Sequence, residues 1–374
     1  MAGLYLHIPF CESRCIYCGF YSTTMQGIKA DYVEALCHEL TLRGEELPCP
    51  IHTIYIGGGT PSCLSLALVK QLLTVVRRVA PEAKEMTMEM NPDDVKDSYI
   101  EGIRALGVNR VSMGVQTFDN ERLRWMGRRH TAEEAIGAVE RLRKHGMDNV
   151  SIDLIYGFPG QRVDDGEGDL TKALMLDVEH LSAYALSIEE GTPLHRMWTE
   201  GRLEETDEEV SIKMFERLIT RMEEAGYEHY EISNFAKKGR RSRHNSSYWT
   251  GEPYIGLGAA AHSYDGKRSR KWNVSDVRSY ITEIAQDRLP SEGEWLTDVQ
   301  LFNERLMLSL RTKEGVDKGA LMALGGEERY ERCRRKVEQL MAKGLLTEDD
   351  TAWRLTKEAI FVSDMIIEQL FEED

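Results

Sequence analysis

Tyr5-Leu6-His7-Ile8-Pro9-Phe10-Cys11-Glu12-Ser13-Arg14-Cys15-Ile16-Tyr17-Cys18 is the stretch on which the reading of this chain turns. Cys11, Cys15 and Cys18 form C-x3-C-x2-C on one short loop, directly after a run in which Leu4, Leu6 and Ile8 alternate with Tyr5 and His7 as on a strand. Three thiolates at that spacing suit three corners of a [4Fe–4S] cube and leave the fourth iron without a protein ligand. Ferredoxin-type carriers close all four positions with cysteine, and structural zinc sites also take four ligands. No fourth local ligand follows here, so the loop reads as the seat of a cluster with one open, reactive iron.

The other cysteines, Cys37, Cys49, Cys63 and Cys333, stand singly and read as buried small apolar residues. The cysteine count of seven is odd and no signal-peptide pattern precedes the motif, so the expectation is a cytoplasmic chain without disulfides. No apolar run reaches the ~18 residues of a membrane span, which leaves loose association with a membrane surface open. The formal net charge of -16 argues against a nucleic-acid partner, whose phosphates need clustered Lys and Arg. One basic run, Lys237-Lys238-Gly239-Arg240-Arg241-Ser242-Arg243, stands against that trend; it reads either as a solvated linker or as a clamp for an anionic ligand.

Short β-rich runs alternate with amphipathic helical ones from the N-terminus: 3–8 then 29–43, 51–56 then 65–79, 84–90 then 94–106, 110–115 then 131–145, 149–155 then 164–175, 180–186 then 208–225. Six βα units imply a parallel sheet with right-handed crossovers, and their spacing predicts an α/β fold, a partial (β/α)6 barrel short of the eight units of a complete one. Buried parallel strands ordinarily read as continuous apolar runs. Here Val111, Met113 and Val115 oppose Ser112, Gly114 and Gln116, and Val150, Ile152 and Leu154 oppose Ser151 and Asp153. A repeated small-or-polar face predicts a barrel interior that is a wet cavity. Chemistry in barrels gathers at the C-terminal strand ends, where Cys11, Gly57 to Gly59, Glu89, Gln116, Asp153 and Ser187 fall.

Beyond about Lys237 the rhythm breaks into a loop-rich stretch with Arg243-His244-Asn245-Ser246-Ser247-Tyr248-Trp249, then a segment, 254–262, whose glycines and alanines permit close backbone approach. Helical patterns then dominate: 299–310, 317–324 and 327–343, followed by a short hairpin around Glu348-Asp349-Asp350 and a last helix from about Lys357. A 374-residue chain exceeds the ~250–300 residues at which one core usually stops growing. The expected division is 1–236 for the barrel with its cluster loop, 237–295 for a connecting segment, and 296–374 for a smaller, mainly helical, winged-helix-like C-terminal domain that serves packing or partner docking.

C-x3-C-x2-C after a first strand resembles the radical S-adenosylmethionine superfamily, and Tyr5-x-His7-Ile8-Pro9-Phe10-Cys11 narrows the resemblance to the oxygen-independent coproporphyrinogen III oxidase-like branch, over essentially the whole chain. Within it the chain is more similar to the haem-chaperone members than to the dehydrogenases. Gly19-Phe20 follows Cys18 where the dehydrogenase pattern places a further cysteine, the motif lies close to Met1, and His244-Asn245-x-x-Tyr248-Trp249 matches the HNxxYW motif associated with haem binding. The resemblance implies that Cys11, Cys15 and Cys18 hold the cluster and that S-adenosylmethionine chelates its open iron, contacted by Tyr5, Tyr17, Gly58, Gly59 and Glu89. It sets Thr60, Gln116, Arg128, Asp153 and Ser187 around the same pocket. His244, or its competitor His262, becomes a haem ligand, and client haemoproteins become partners. The glycine loop is expected to accept bulk without harm to the barrel. The alternatives are coproporphyrinogen III dehydrogenase and a haem-degrading radical methyltransferase.

Overall fold

The structure, a computed structural model, describes residues 2–46 and 50–373, so Cys49 lies outside the described residues. Six parallel strands, β1 (Ala2–Ile8), β2 (Ile51–Gly58), β3 (Glu85–Met90), β4 (Arg110–Gln116), β5 (Val150–Tyr156) and β6 (His180–Ala185), form the sheet centre in sequential order. Between and after them come α1 (Lys29–Leu42), α2 (Leu66–Val79), α3 (Asp97–Ala105), α4 (Asn120–Met126), α5 (Ala132–Lys144), α6 (Val163–Met175), α7 (Pro193–Thr199) and α8 (Glu208–Glu224). This is the expected partial barrel. Val111, Met113, Val115, Met86, Met88, Val150 and Ile152 are buried in the core cluster that also takes residues of the covering helices. The opposite faces of β3, β4 and β5 turn inward, and Glu89, Ser112, Gly114, Gln116 and Asp153 line a cavity of about 680 Å³. Strand alternation thus foretold a hollow interior.

The sheet extends beyond the βα units on both sides. A hairpin of β7 (Glu228–Glu231) and β8 (Asn234–Ala236) adds antiparallel to β6. After α9 (Arg243–Trp249), β9 (Tyr254–Leu257) pairs parallel with β1, and β10 (His262–Tyr264), β11 (Ser269–Asn273) and β12 (Ser291–Trp295) continue antiparallel, with α10 (Val277–Ile284) between the last two. These strands, and the helix at 243–249 in place of the expected loop, differ from the sequence pattern. Strands of three to five residues, one of them exposed throughout, carry too little alternation to register, and a seven-residue helix makes barely two turns. The close backbone approach expected at 254–262 is real. A Cβ on Gly256 would lie 2.1 Å from the His262 carbonyl oxygen, and one on Gly258 2.4 Å from the Tyr32 hydroxyl.

A second core, around Phe302, Leu306, Val337, Trp353 and Ile366, belongs to α11 (Asp298–Leu310), α12 (Lys318–Ala342), α13 (Ser363–Leu370) and a small sheet of β13 (Val316–Asp317), β14 (Leu346–Glu348) and β15 (Ala352–Leu355). Gly326, at φ 74°, kinks α12 where the sequence divides two helices. Three helices with a hairpin make the winged-helix-like arrangement. Within the basic run, Lys237 pairs with Asp177 at 2.6 Å and Arg241 with Glu228 at 2.7 Å and Glu314 at 2.8 Å. These two cations of the run brace it as a linker against local carboxylates. Of the single cysteines Cys333 is buried, whereas Cys37 and Cys63 are only half-buried. Among the described residues no helix is long and apolar enough to cross a membrane.

The added strands are fastened to the barrel by one buried carboxylate. Glu39 on α1 accepts from the Tyr280 hydroxyl at 2.6 Å, Gly258 N–H at 2.8 Å, Asn273 Nδ2 at 2.8 Å and Arg43 Nη1 at 3.3 Å. Arg43 in turn donates to the Gly256 carbonyl and to Ser263 Oγ. Removing one partner of a buried ion pair strands the other, at a cost of about 3–5 kcal/mol. Glu39→Ala should therefore lower unfolding free energy by about that amount in urea titrations, with Glu39→Gln intermediate because it keeps acceptor and shape.

Candidate cluster and cofactor site

The cysteine loop is shaped by its neighbours before any ligand is considered. Cys11 N–H donates to the Thr23 carbonyl at 2.9 Å, Ile16 N–H to Met126 at 3.1 Å, and Leu194 N–H to Ile16 at 2.9 Å, so the loop is sewn to the C-terminus of α4 and the start of α7. Gly127, at φ 78°, ends α4 in a left-handed turn that only glycine takes without strain. The turn delivers two arginines to the loop. Arg129 joins Glu12, Asp93 and Asp94 in an ion-pair group. Arg128 points inward, with Nη2 on Asn91 Oδ1 at 2.8 Å and on the Gly114 carbonyl at 2.6 Å, and Nη1 3.6 Å from Cys15 Sγ.

All three cysteines line the cavity, and Thr60 Oγ1 lies 3.6 Å from Cys11 Sγ. Among the described residues no three His, Cys, Asp or Glu side chains converge to hold a single metal ion. Three thiols on one cavity offer ligands for three corners of a cube. Burial raises the thiol pKa of Cys11 and Cys18, so the protein alone favours the thiol forms and the metal must stabilise the thiolates.

The glycines at 57 to 59 answer to packing. A Cβ on Gly57 would meet the Tyr55 ring at 2.7 Å, one on Gly58 the His7 ring at 2.7 Å, and one on Gly59 Cys11 Sγ at 2.9 Å. Gly58 also has φ 116°. Added bulk here would strain the barrel itself, contrary to the expectation from sequence. Gly58 N–H donates to Glu89 at 2.9 Å, and the Tyr55 hydroxyl donates to the other carboxylate oxygen at 2.8 Å.

Burial raises the Glu89 carboxyl to about 7 and the Asp153 carboxyl to about 6, and hydrogen bonds to each only partly oppose it. Gln116 sits at φ 70°, a conformation that costs about 1–3 kcal/mol and collects at functional sites. Gly114 makes room for it, since a Cβ there would lie 2.7 Å from Gln116 Nε2.

The structure brings together Tyr17, Gly58, Gly59, Thr60, Glu89, Gln116, Arg128, Asp153 and Ser187 on the cysteine cavity, with Ser187 at the exposed rim beside Glu189. Two candidates lie elsewhere. Tyr5 is not among the cavity-lining residues, its hydroxyl 3.0 Å from His7 Nδ1 and its ring against Tyr55 and His244. His244 is fully buried, with Nδ1 2.9 Å from Thr53 Oγ1 and Nε2 2.8 Å from the Tyr248 hydroxyl. Both ring nitrogens are engaged, and burial followed by the Arg110 charge pushes its pKa down to about 3. In this arrangement neither ring nitrogen of His244 faces the cavity unpaired. It anchors α9 across the N-terminal ends of β1, β2 and β3, where Glu85 accepts from the N–H groups of Arg243 and His244. His262 is exposed on β10, 6.1 Å from the Trp272 ring. Tyr55, Asn91, Arg110, Ser182 and Tyr184 also line the cavity, beyond the residues expected from sequence. Arg110 was findable, because it shares its phase on β4 with Ser112, Gly114 and Gln116.

The profile "Radical SAM superfamily" matches residues 5–173, and "HemN C-terminal domain" matches 296–362. A Bacillus subtilis protein named heme chaperone HemW is 37% identical over 362 residues, 95% of this chain and 95% of its own. The Mycobacterium tuberculosis (strain H37Rv) protein of the same name is 36% identical over 377 residues, 98% of this chain and 94% of its own. The solved structure of Escherichia coli coproporphyrinogen III oxidase (HemN), described as a radical SAM enzyme, superposes with TM-score 0.85 at 23% identity, covering 99% of this chain and 90% of that one, which shows a shared fold.

The raised Glu89 carboxyl sets a pH test. The folded state holds its proton more tightly than the unfolded chain, so folding is penalised progressively as pH rises from 4.5 to about 7, and fully above. Glu89→Gln should stabilise the ligand-free protein by about 1–2 kcal/mol at pH 8, after loss of charge-assisted hydrogen bonds, and the gain should fade by pH 5. Urea titrations at the two pH values measure it.

Proposed function

The chain belongs to the HemW family of the radical SAM superfamily, and from that premise we propose that it is a haem chaperone: it binds haem, a [4Fe–4S] cluster and S-adenosylmethionine, and passes haem to client haemoproteins in the cytoplasm. The observation that carries the reading is end-to-end similarity to proteins of that name, 37% over 95% of both chains. Similarity to the oxidase extends to fold alone. A second observation supports the same choice. Phe20, next but one to Cys18, is 73% exposed and lines the mouth of the cavity, where the dehydrogenase pattern carries a further cysteine.

The bound cluster would supply one-electron reduction of the S-adenosylmethionine sulfonium. This chain's own residues do the positioning. Cys11, Cys15 and Cys18 would hold three irons, and Arg128 places a cation beside Cys15. Glu89, held by Tyr55 and Gly58, presents a carboxyl near the cysteine end that would accept from the ligand's ammonium group. Gln116 and Asp153 would contact the ligand further in. Tyr17 and Phe20 give the mouth an apolar edge that limits water.

Anaerobically reconstituted protein should bind haem stoichiometrically and leave coproporphyrinogen III undecarboxylated under reducing conditions with S-adenosylmethionine present. Robust decarboxylation without haem binding would instead make it the dehydrogenase. His244→Ala should cost about 1–3 kcal/mol of stability, for the hydroxyls of Thr53 and Tyr248 left in a buried hole, and should leave the absorption spectrum of bound haem unchanged. A changed spectrum would return His244 to the role of ligand.

A further inference from the structure

At the N-terminal end of β4 the cavity lining includes a buried cation with two nitrogen atoms that lack a hydrogen-bond partner. Arg110, the first residue of β4, is 1% exposed, yet it lines the same cavity as the cysteines. Its Nε and Nη1 have no hydrogen-bond acceptor. Thr87, its cross-strand neighbour on β3, is fully buried, and its hydroxyl is likewise unpartnered. A buried polar group left so costs about 1–3 kcal/mol, and more when charged, so a natural chain keeps one where something arrives to satisfy it.

The neighbouring acids Glu89 and Asp153 balance part of the Arg110 charge, but neither accepts a hydrogen bond from its Nε or Nη1. Glu85 accepts from the first N–H groups of α9, Glu89 from Tyr55 and Gly58, and Asp153 is hydrogen-bonded by Ser182 and Ser112. The guanidinium therefore faces the cavity as a planar donor, and its chemical complement is a carboxylate. Asn245 of the HNxxYW motif lines the same cavity, so α9 helps to build this floor. The methionine carboxylate of S-adenosylmethionine is expected at the open iron, at the opposite end of the cavity. The anion for the floor must come from a second ligand that carries its carboxylate on an arm long enough to reach down the barrel.

We propose that Arg110, assisted by the Thr87 hydroxyl, is a carboxylate subsite at the barrel floor that receives a propionate arm of haem. The subsite rests on the haem-binding reading and adds to it the place and the group by which haem is recognised. Arg110 and Thr87 lie in the N-terminal halves of β4 and β3, whereas the cysteine loop follows the C-terminal end of β1, so cluster assembly does not depend on them.

The test compares haem with its dimethyl ester, which keeps the macrocycle and iron but has no carboxylate. Wild-type protein should prefer the free acid by about tenfold or more, the worth of one good charge-assisted contact. Arg110→Gln should reduce that preference to less than about threefold while the cluster content stays at the wild-type level. Should Arg110→Gln fail to fold, Thr87→Val, which removes no charge, should still weaken the free acid by about two- to fivefold and leave the ester unaffected. An unchanged acid-to-ester ratio in folded Arg110→Gln, or in Thr87→Val if the first variant is unfolded, overturns the subsite. Wild type that binds haem and ester equally also overturns the subsite and leaves the chaperone reading standing. Wild type that binds neither removes both.

Discussion

A parallel sheet that turns polar side chains inward must find each of them a partner, and most of this molecule follows from how it does so. The inward faces of β3, β4 and β5 carry Thr87, Glu89, Arg110, Ser112, Gln116 and Asp153 in place of the branched aliphatics that fill a solid barrel. Two of the carboxyls are buried enough to hold their protons towards neutral pH. That arrangement is expensive for folding, and the outer core of Val, Ile, Leu and Met beneath the helices offsets it. The interior is thereby free to be a cavity, with a cysteine loop at one end and a helix across the other.

The two ends are built by different means. At the cysteine end the shape comes from backbone, through a left-handed Gly127, three glycines that each touch a neighbour, and a loop stitched to α4 and α7. At the floor it comes from side chains, with His244 wedged between Thr53 and Tyr248 and Glu85 capping α9. The His-Asn-x-x-Tyr-Trp motif is in this view a closure of the barrel, and its reach toward a ligand runs through Asn245 and the adjacent Arg110.

The barrel was legible because each strand is six to eight residues long, most of them alternate, and the longer covering helices have an apolar stripe. The cysteine loop was legible because ligand spacing is local. What the sequence hid depends on contacts distant along the chain. Nothing near Glu39 announces that it will hold Tyr280, Gly258 and Asn273 together. The burial of His244 follows from Thr53, 191 residues before it. Tyr5 keeps the inward phase the alternation gave it, but its hydroxyl goes to His7 and its ring to Tyr55, a detail of packing that no spacing encodes.

The central claim is that three thiolates leave one iron open toward a cavity that receives S-adenosylmethionine. Mössbauer spectroscopy of the 57Fe-reconstituted protein, recorded with and without S-adenosylmethionine, addresses it directly. The account predicts that about a quarter of the iron signal moves to a distinct, higher-coordinate site when the ligand is added and that the rest is unchanged. Four irons that remain equivalent in both spectra, or a fully assembled cluster in Cys15→Ala, would contradict it.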